Sequence, residues 1–309
     1  MTTAAPAPLP PTVADPGDRI RLYDVAPIAF IHLLCLGVLW VGWSPVAVAV
    51  AVVVAAVRMF VITAFYHRYF SHRTFRTHRW VQLAAAVVGT TCAQRGPLWW
   101  ASHHRQHHRH SDQPRDLHSP VHRGLLWSHA GWFLARDGLV THWRSIPDLA
   151  RFPELLWVER LHMLGPFALA GAMFGLGVWL EGVAPGLGTD GWQMAVWGFA
   201  VSTTVLYHAT FTINSLAHRF GTRRFATRDD SRNNVWLALI TFGEGWHNNH
   251  HHYSASVRQG FYWWEFDPTW WVLWLMARVG LVWDLRPVPE RVYAEAAAAR
   301  GARDAAGAR

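Results

Sequence analysis

Charge is scarce in this 309-residue chain: 16% of its residues are charged, against about a quarter in ordinary soluble domains. Lysine is absent, so the formal net charge of +8 comes entirely from arginine. Cysteine is almost absent as well. Cys35 and Cys92 stand in or near apolar stretches and match no CxxC spacing, which excludes a disulfide scaffold and a thiolate zinc ribbon. No HExxH occurs, which removes the usual zinc-peptidase reading. The basic balance invites a nucleic-acid reading, yet no nucleic-acid fingerprint is present, and the arginines are interleaved with histidine and tryptophan beside apolar runs. Anionic lipid headgroups or an acidic cofactor suit that pattern better. What the chain has in excess is 20 His and 20 Trp, with 51% hydrophobic residues overall.

Four apolar runs set the class, because a helix rising about 1.5 Å per residue needs about 20 residues to cross a bilayer. Residues 25–43 and 46–66 are separated only by Ser44-Pro45, so they form a hairpin. Residues 162–180 and 192–212 are joined by EGVAPGLGTDG, a Gly/Pro turn whose charges are all acidic, and form a second. The segments 67–160 and 213–309 hold nearly all the arginines, and the loops 44–45 and 181–191 hold none. Positive charge gathers on the cytoplasmic side. The predicted fold is therefore an all-α integral membrane protein of the cell (inner) membrane. Four transmembrane helices in two hairpins carry a cytoplasmic helical cap, with both termini on the cap side. Residues 25–288 make one domain, flanked by a flexible Pro/Ala-rich tail, 1–24, that lacks the apolar run of a secretory signal, and by an Ala/Arg-rich tail, 289–309. Trp80 to Cys92 is too short to span and is expected to lie along the interface or re-enter the protein. The Trp-rich stretch 262–283 is expected there too, with a fifth span as its alternative.

The histidines fall into clusters, all on the side assigned to the cytoplasm. His67 and His72 close the second run; on a continuous α-helix an i, i+5 pair points about 140° apart, so both can serve one site only if the helix ends or turns between them. His104, His107 and His108 share one helical face through i, i+3 and i, i+4 spacing, and His247, His250 and His251 repeat it. Asn214 and His218 stand one turn apart where the fourth run ends. A single HxxHH is more often a solvated basic face, but three boxes and a fourth partner at the same ends of predicted spans point to metal. Nine imidazoles exceed what one ion binds, so two ions are implied. Imidazole suits iron, copper, nickel and zinc alike, and chemistry narrows the choice: cleaving an aliphatic C–H bond of a chain dissolved in the membrane calls for iron, O2 and electrons from outside. His32 and His208, inside the runs, read as satisfied core residues, and His103, His110 and His252 lie at other helical phases.

The runs FYHRYFSHRTF (65–75), WWASHHRQHHRHSDQPRDLHSP (99–120), INSLAHRFG (213–221) and SRNNVWLALITFGEGWHNNHHHY (231–253) together resemble the membrane fatty acyl desaturases of the stearoyl-CoA (delta-9) type, most closely bacterial members. The likeness continues through HAGWFL (129–134) and RQGFYWWEFDPTWW (258–271). It implies a tunnel for an acyl chain beneath a cap, two irons at the junction, and O2 as co-substrate. His67, His72, His104, His107, His108, His218, His247, His250 and His251 match the family's metal ligands, and Asn214 its water-mediated partner. Asp112, Asp116 and Glu244 are placed to accept from the ligands' second ring nitrogens. Trp99, Trp100 and Trp246 either wall the tunnel or anchor at the interface.

Where animal members carry an Arg-Asp pair that helps hold CoA, this chain has Ser102-His103, so both an acyl-CoA and an acyl chain esterified in membrane lipid stand as substrates. No HPGG and no cysteine cluster occur, so the implied electron donor is a separate ferredoxin or NAD(P)H-dependent reductase. The rival enzyme is a membrane hydroxylase or ketolase on the same metals. The rival from another class is a His-rich metal transporter, which calls for ligands at mid-membrane depth.

Overall fold

The structure, a computed structural model, describes residues 19–307. Most of the tail expected at 1–24 lies outside those residues, and its last part is already helical, since the first helix begins at Leu22. The chain is mostly helical. One small sheet pairs Arg76–Thr77 with Val282–Trp283, antiparallel, with Arg76 opposite Trp283 and Thr77 opposite Val282.

Three helices are long and apolar enough to cross a membrane: Leu22–Val41, Pro45–Ser71 and Leu164–Val183. The first ends at Gly42, whose φ of +64° reverses the chain. Ser44 then caps the second, its Oγ accepting the Ala47 N–H at 3.2 Å with Pro45 in the first turn. The fourth expected span is helical through 191–215, started by Asp190, whose carboxylate accepts the Gln193 N–H at 2.8 Å. It falls short of the other three in apolar character because it carries Gln193, Ser202, Thr203, Thr204 and His208. Two of those groups have a use: Ser202 and Thr203 accept from the buried guanidinium of Arg58 at 2.6 and 2.8 Å, so the arginine inside the second helix is satisfied by the fourth.

Trp80 to Cys92 becomes the helix Arg79–Thr90, with Val81, Ala85 and Ala86 buried and Trp80, Val87 and Val88 exposed. The Trp-rich stretch contains the helix Pro268–Arg278, whose 11 residues reach only about 16 Å. That is too short for a fifth span. Residues expected as a C-terminal tail form the helix Glu290–Gly307, with Val292 and Ala296 packed against Phe225 and Phe261. The largest core cluster surrounds the end of the second helix: Phe65, Tyr66, Tyr69, Phe70, Phe75 and Leu98 among others. The first histidine box therefore stands in the largest buried cluster of the described residues.

Candidate metal centre

Each box is aimed by a local device. The second helix widens over Ile62–Ser71 into a π-helical turn, in which backbone bonds span five residues. The ring centroids of His67 and His72 lie 5.0 Å apart as a result. The second box rides on Pro97–His110, whose first-turn N–H groups at Leu98 and Trp99 donate to the Glu159 carboxylate at 2.8 and 3.2 Å. The third rides on the short helix His247–His252, entered through GEGW. Gly243 there has φ +110°, and a Cβ on Gly245 would stand 2.1 Å from the Ala238 backbone nitrogen.

All nine predicted histidines converge, in two groups. His67, His72, His104, His108 and His250 make one; His107, His218, His247 and His251 make the other. Within each group the nearest ring nitrogens all lie within 4.8 Å of one another. The Nε2 atoms of His72 and His104 are 2.8 Å apart, those of His108 and His250 2.9 Å, those of His67 and His250 3.1 Å, and those of His218 and His247 3.0 Å. His250 Nε2 thus faces two other imidazole nitrogens at once, and Nε2 of His107 and of His251 is buried without any partner. Two nitrogens bound to one ion at about 2.1 Å lie no more than about 4.2 Å apart, and the four pairs at 2.8 to 3.1 Å fall inside that limit. The donor set fits a pair of imidazole-bound cations, and each group could hold one.

Electrostatics favour the ligand form. Burial and the neighbouring imidazoles push His72, His104, His108, His247 and His250 well below the ordinary histidine value. Burial lowers His251 to about 4 although Asp229 pulls the other way. These rings are neutral at pH 7, as metal binding requires. Three of the nine are gripped from behind by carboxylates the sequence pointed to. His107 donates Nδ1–H to Asp116 at 3.0 Å and His218 to Asp112 at 2.7 Å; His67 meets Glu244 through Nδ1. Burial alone would raise these carboxyls, but His107 and His118 hold Asp116 below the carboxylate range, His218 holds Asp112, and His67 with Arg68 holds Glu244. Asp112 follows the second box with φ +52°, a turn that swings its carboxylate back to His218 and to the Asp230 N–H at 2.8 Å.

Several partners escaped the sequence. Asp229 accepts from His251 Nδ1 at 2.9 Å. Gln259 donates to Glu244 at 2.8 Å, and the buried Arg68 guanidinium bridges Glu244 (3.1 Å) and Asp267 (2.9 Å). Their only sequence signal is polarity inside otherwise apolar or loop segments. Asn214 lines the cavity described next, and its carbonyl accepts from Ser128 Oγ at 2.6 Å. His118 stacks on His107 with centroids 4.3 Å apart. His103 lies off the metal groups, its Nε2 2.8 Å from the Val140 carbonyl, and His252 meets Glu295 at 2.6 Å. His32 and His208 lie against each other, Nε2 to Nε2 at 3.1 Å, away from both groups.

A cavity of 850 Å³, within the usual size for a small-molecule site, is lined mostly by apolar side chains and has His104 and Asn214 on its wall. Trp99 and Trp100 both line it, Trp100 stacked on His104 with centroids 5.1 Å apart. Trp246 does not: its indole N–H donates to the Phe266 carbonyl at 2.9 Å, which turns the ring toward the C-terminal segment.

Known proteins carry the same chain pattern. Over 221 residues the chain is 37% identical to an sn-2 palmitoyl-lipid 9-desaturase of Nostoc sp. (strain 36), covering 70% of this chain and 73% of the relative. Over 266 residues it is 34% identical to the chloroplastic palmitoyl-monogalactosyldiacylglycerol delta-7 desaturase of Arabidopsis thaliana, covering 85% and 68%. Over 276 residues it is 32% identical to an acyl-CoA 5-desaturase of Anemone leveillei, covering 88% and 81%. Residues 41–287 match the family description "Fatty acid desaturase". With both imidazole groups inside that matched span, the chain belongs to the fatty acid desaturases and is an oxidoreductase.

Proposed function

We propose that the protein is an O2-dependent desaturase that places a cis double bond after carbon nine of a saturated acyl chain, held as a CoA thioester or in a membrane lipid. The observation that carries this reading is a pair of adjoining imidazole groups, one of which opens on an apolar cavity through His104. Relatives named for carbons 5, 7 and 9, and for lipid-bound and CoA-bound chains, support an acyl substrate, and the 9-desaturases among them favour carbon nine.

In this reading His67, His72, His104, His108 and His250 would hold one iron and His107, His218, His247 and His251 the other, with Asn214 as a water-mediated partner of the pair. Irons bound there would supply the oxidising power to take two hydrogens from adjacent methylenes while O2, two electrons and two protons become two waters. Asp112, Asp116, Asp229 and Glu244 keep their rings protonated at Nδ1 and free at Nε2. Trp100 and the apolar walls exclude water and leave the chain only steric guidance, so tunnel depth sets the bond position. Electrons come from a separate ferredoxin or NAD(P)H-dependent reductase docking on the arginine-rich face.

The domain 25–288 sits in the cell membrane with four spans, 191–215 being the fourth, in two hairpins whose tips are outside. The histidines and both termini are cytoplasmic. The test is expression in a host without its own desaturase, followed by gas chromatography–mass spectrometry of double-bond derivatives and iron analysis of purified protein. A new monoene at carbon nine with about two irons per chain is expected. Hydroxylated chains would make it a hydroxylase, and metal uptake with unchanged lipids would overturn the reading.

A further inference from the structure

We infer that the acyl chain enters the cavity sideways from the bilayer, as one tail of an intact glycerophospholipid, through a groove between the helices Leu22–Val41 and Leu164–Val183. This rests on the desaturase reading and names the substrate class of that site. Both helices pack along 191–215, with at most marginal contact to each other. The space between them has Phe199, Ala200 and Phe211 as its floor, Ile31 on one wall and Ala170 on the other. Phe30 and Phe167 also line it, yet they are 59% and 70% exposed, so the lining continues onto the lipid-facing surface of both helices. Gly171 keeps the third helix bare at mid-groove: a Cβ there would meet no atom within 4 Å.

The shape decides between two ways in. A chain in a closed tunnel must leave its membrane and be threaded methyl end first. A groove open along its length admits a chain already lying parallel to the helices, while the head group and the second tail stay in the bilayer. Moving an alkyl chain from lipid into an apolar groove exposes no apolar surface to water at any stage. The groove reaches the first imidazole group at His104, with Asn214 also on its wall. Arg95 and Asp24 both line the cavity, the Arg95 guanidinium 5.4 Å from the Trp99 ring centre.

The test uses the full-length protein in phosphatidylglycerol vesicles containing a phosphatidylglycerol with a mid-chain diazirine. Photolabelling is expected on Phe30 and Ala170, and to fall about tenfold in Gly171→Trp, a weakening of about 1.4 kcal/mol. Gly175→Trp, one turn on, off the cavity and also in open space, is expected to label like the parent. Gly171→Leu gives a milder block should Trp disturb the fold, and iron content monitors folding in every variant. Labelling spread evenly over lipid-facing residues, or unchanged by both Gly171 variants, overturns the lateral route.

With a ferredoxin, its NADPH reductase and O2, the iron-loaded enzyme is then offered distearoylphosphatidylglycerol vesicles without CoA, or stearoyl-CoA. A double bond in the intact phospholipid supports the proposal. Turnover of stearoyl-CoA alone overturns it while leaving the desaturase reading standing, and turnover of neither overturns that reading itself.

Discussion

The backbone N–H of His72 donates to the carbonyl of His67, five residues back, at 3.3 Å. That one bond closes the wide turn that lets an i, i+5 pair serve a single group, where an ordinary α-helix would hold the rings about 140° apart. An extra residue in a helix turn is a local defect bought by the packing of Phe65, Tyr66 and Phe70 around it, and here its effect is to aim two ligands.

Replacing either His107 or His250 by Ala removes one ligand from a different group. Activity is expected to fall below detection in both, with bound iron reduced from about two toward one. Elemental analysis beside product analysis checks this, and full iron with retained activity in either variant would contradict the ligand assignment.

Asp116→Asn and Asp229→Asn keep an acceptor behind His107 and His251 but remove its charge. Metal affinity is expected to drop about 10- to 100-fold, with the loss confined to the group containing His107 and His251. Competition with a chelator reads this directly, and biphasic iron release, one ion fast and one at the parent rate, is the expected pattern.

Arg68→Met leaves Glu244 and Asp267 buried against each other without their shared cation. Destabilisation by about 3–5 kcal/mol is expected. Denaturation in detergent would measure it, and a change within error would mean that water or another cation already screens the pair.

Gly245→Ala puts a methyl group against the Ala238 backbone nitrogen, at an expected cost of about 1–3 kcal/mol, and more if the turn cannot shift. Gly182→Ala, where a Cβ meets nothing within 4 Å, is expected to stay within about 0.5 kcal/mol of the parent.

Metal-free protein is expected to lose stability steadily as pH falls from about 7 to 4. Imidazoles held below about 6.5 in the folded chain, His72, His104, His108, His247, His250 and His251, take up protons on unfolding once the pH drops below that ordinary value. The stability supplied by Asp112, Asp116, Asp229 and Glu244 is present above about pH 4 and is lost below it, as pH falls through their lowered folded values. His107, raised by Asp116 against its burial, works in the opposite direction but alone. A melting temperature flat or rising toward pH 5 would contradict this.

The convergence of His104, His107 and His108 and of His247, His250 and His251 was legible because each set repeats within one local helix, whereas His67 and His72 meet only through the wide turn that their spacing required. Asp229, Gln259 and the Arg68–Asp267 pair were not legible. Their partners lie 22, 15 and 199 residues away, and no periodicity links a loop carboxylate to a helix ring. Asp112 and Asp116 were found because they follow their own box closely. Trp246 misled because its neighbours in sequence are ligands, while its indole finds a carbonyl 20 residues on. The helix Glu290–Gly307 hid behind its Ala/Arg composition, with Val292, Tyr293 and Ala296 marking the side that packs on the cluster.

Both imidazole groups draw on the helix His247–His252, at about four-fifths of the chain's length. A ribosome delivers the N-terminal parts first, so a nascent chain holds four members of one group and two of the other long before either can close. An ion held by either group would accordingly be acquired late in biogenesis, and a protein truncated before residue 247 lacks one ring of the first group and two of the second.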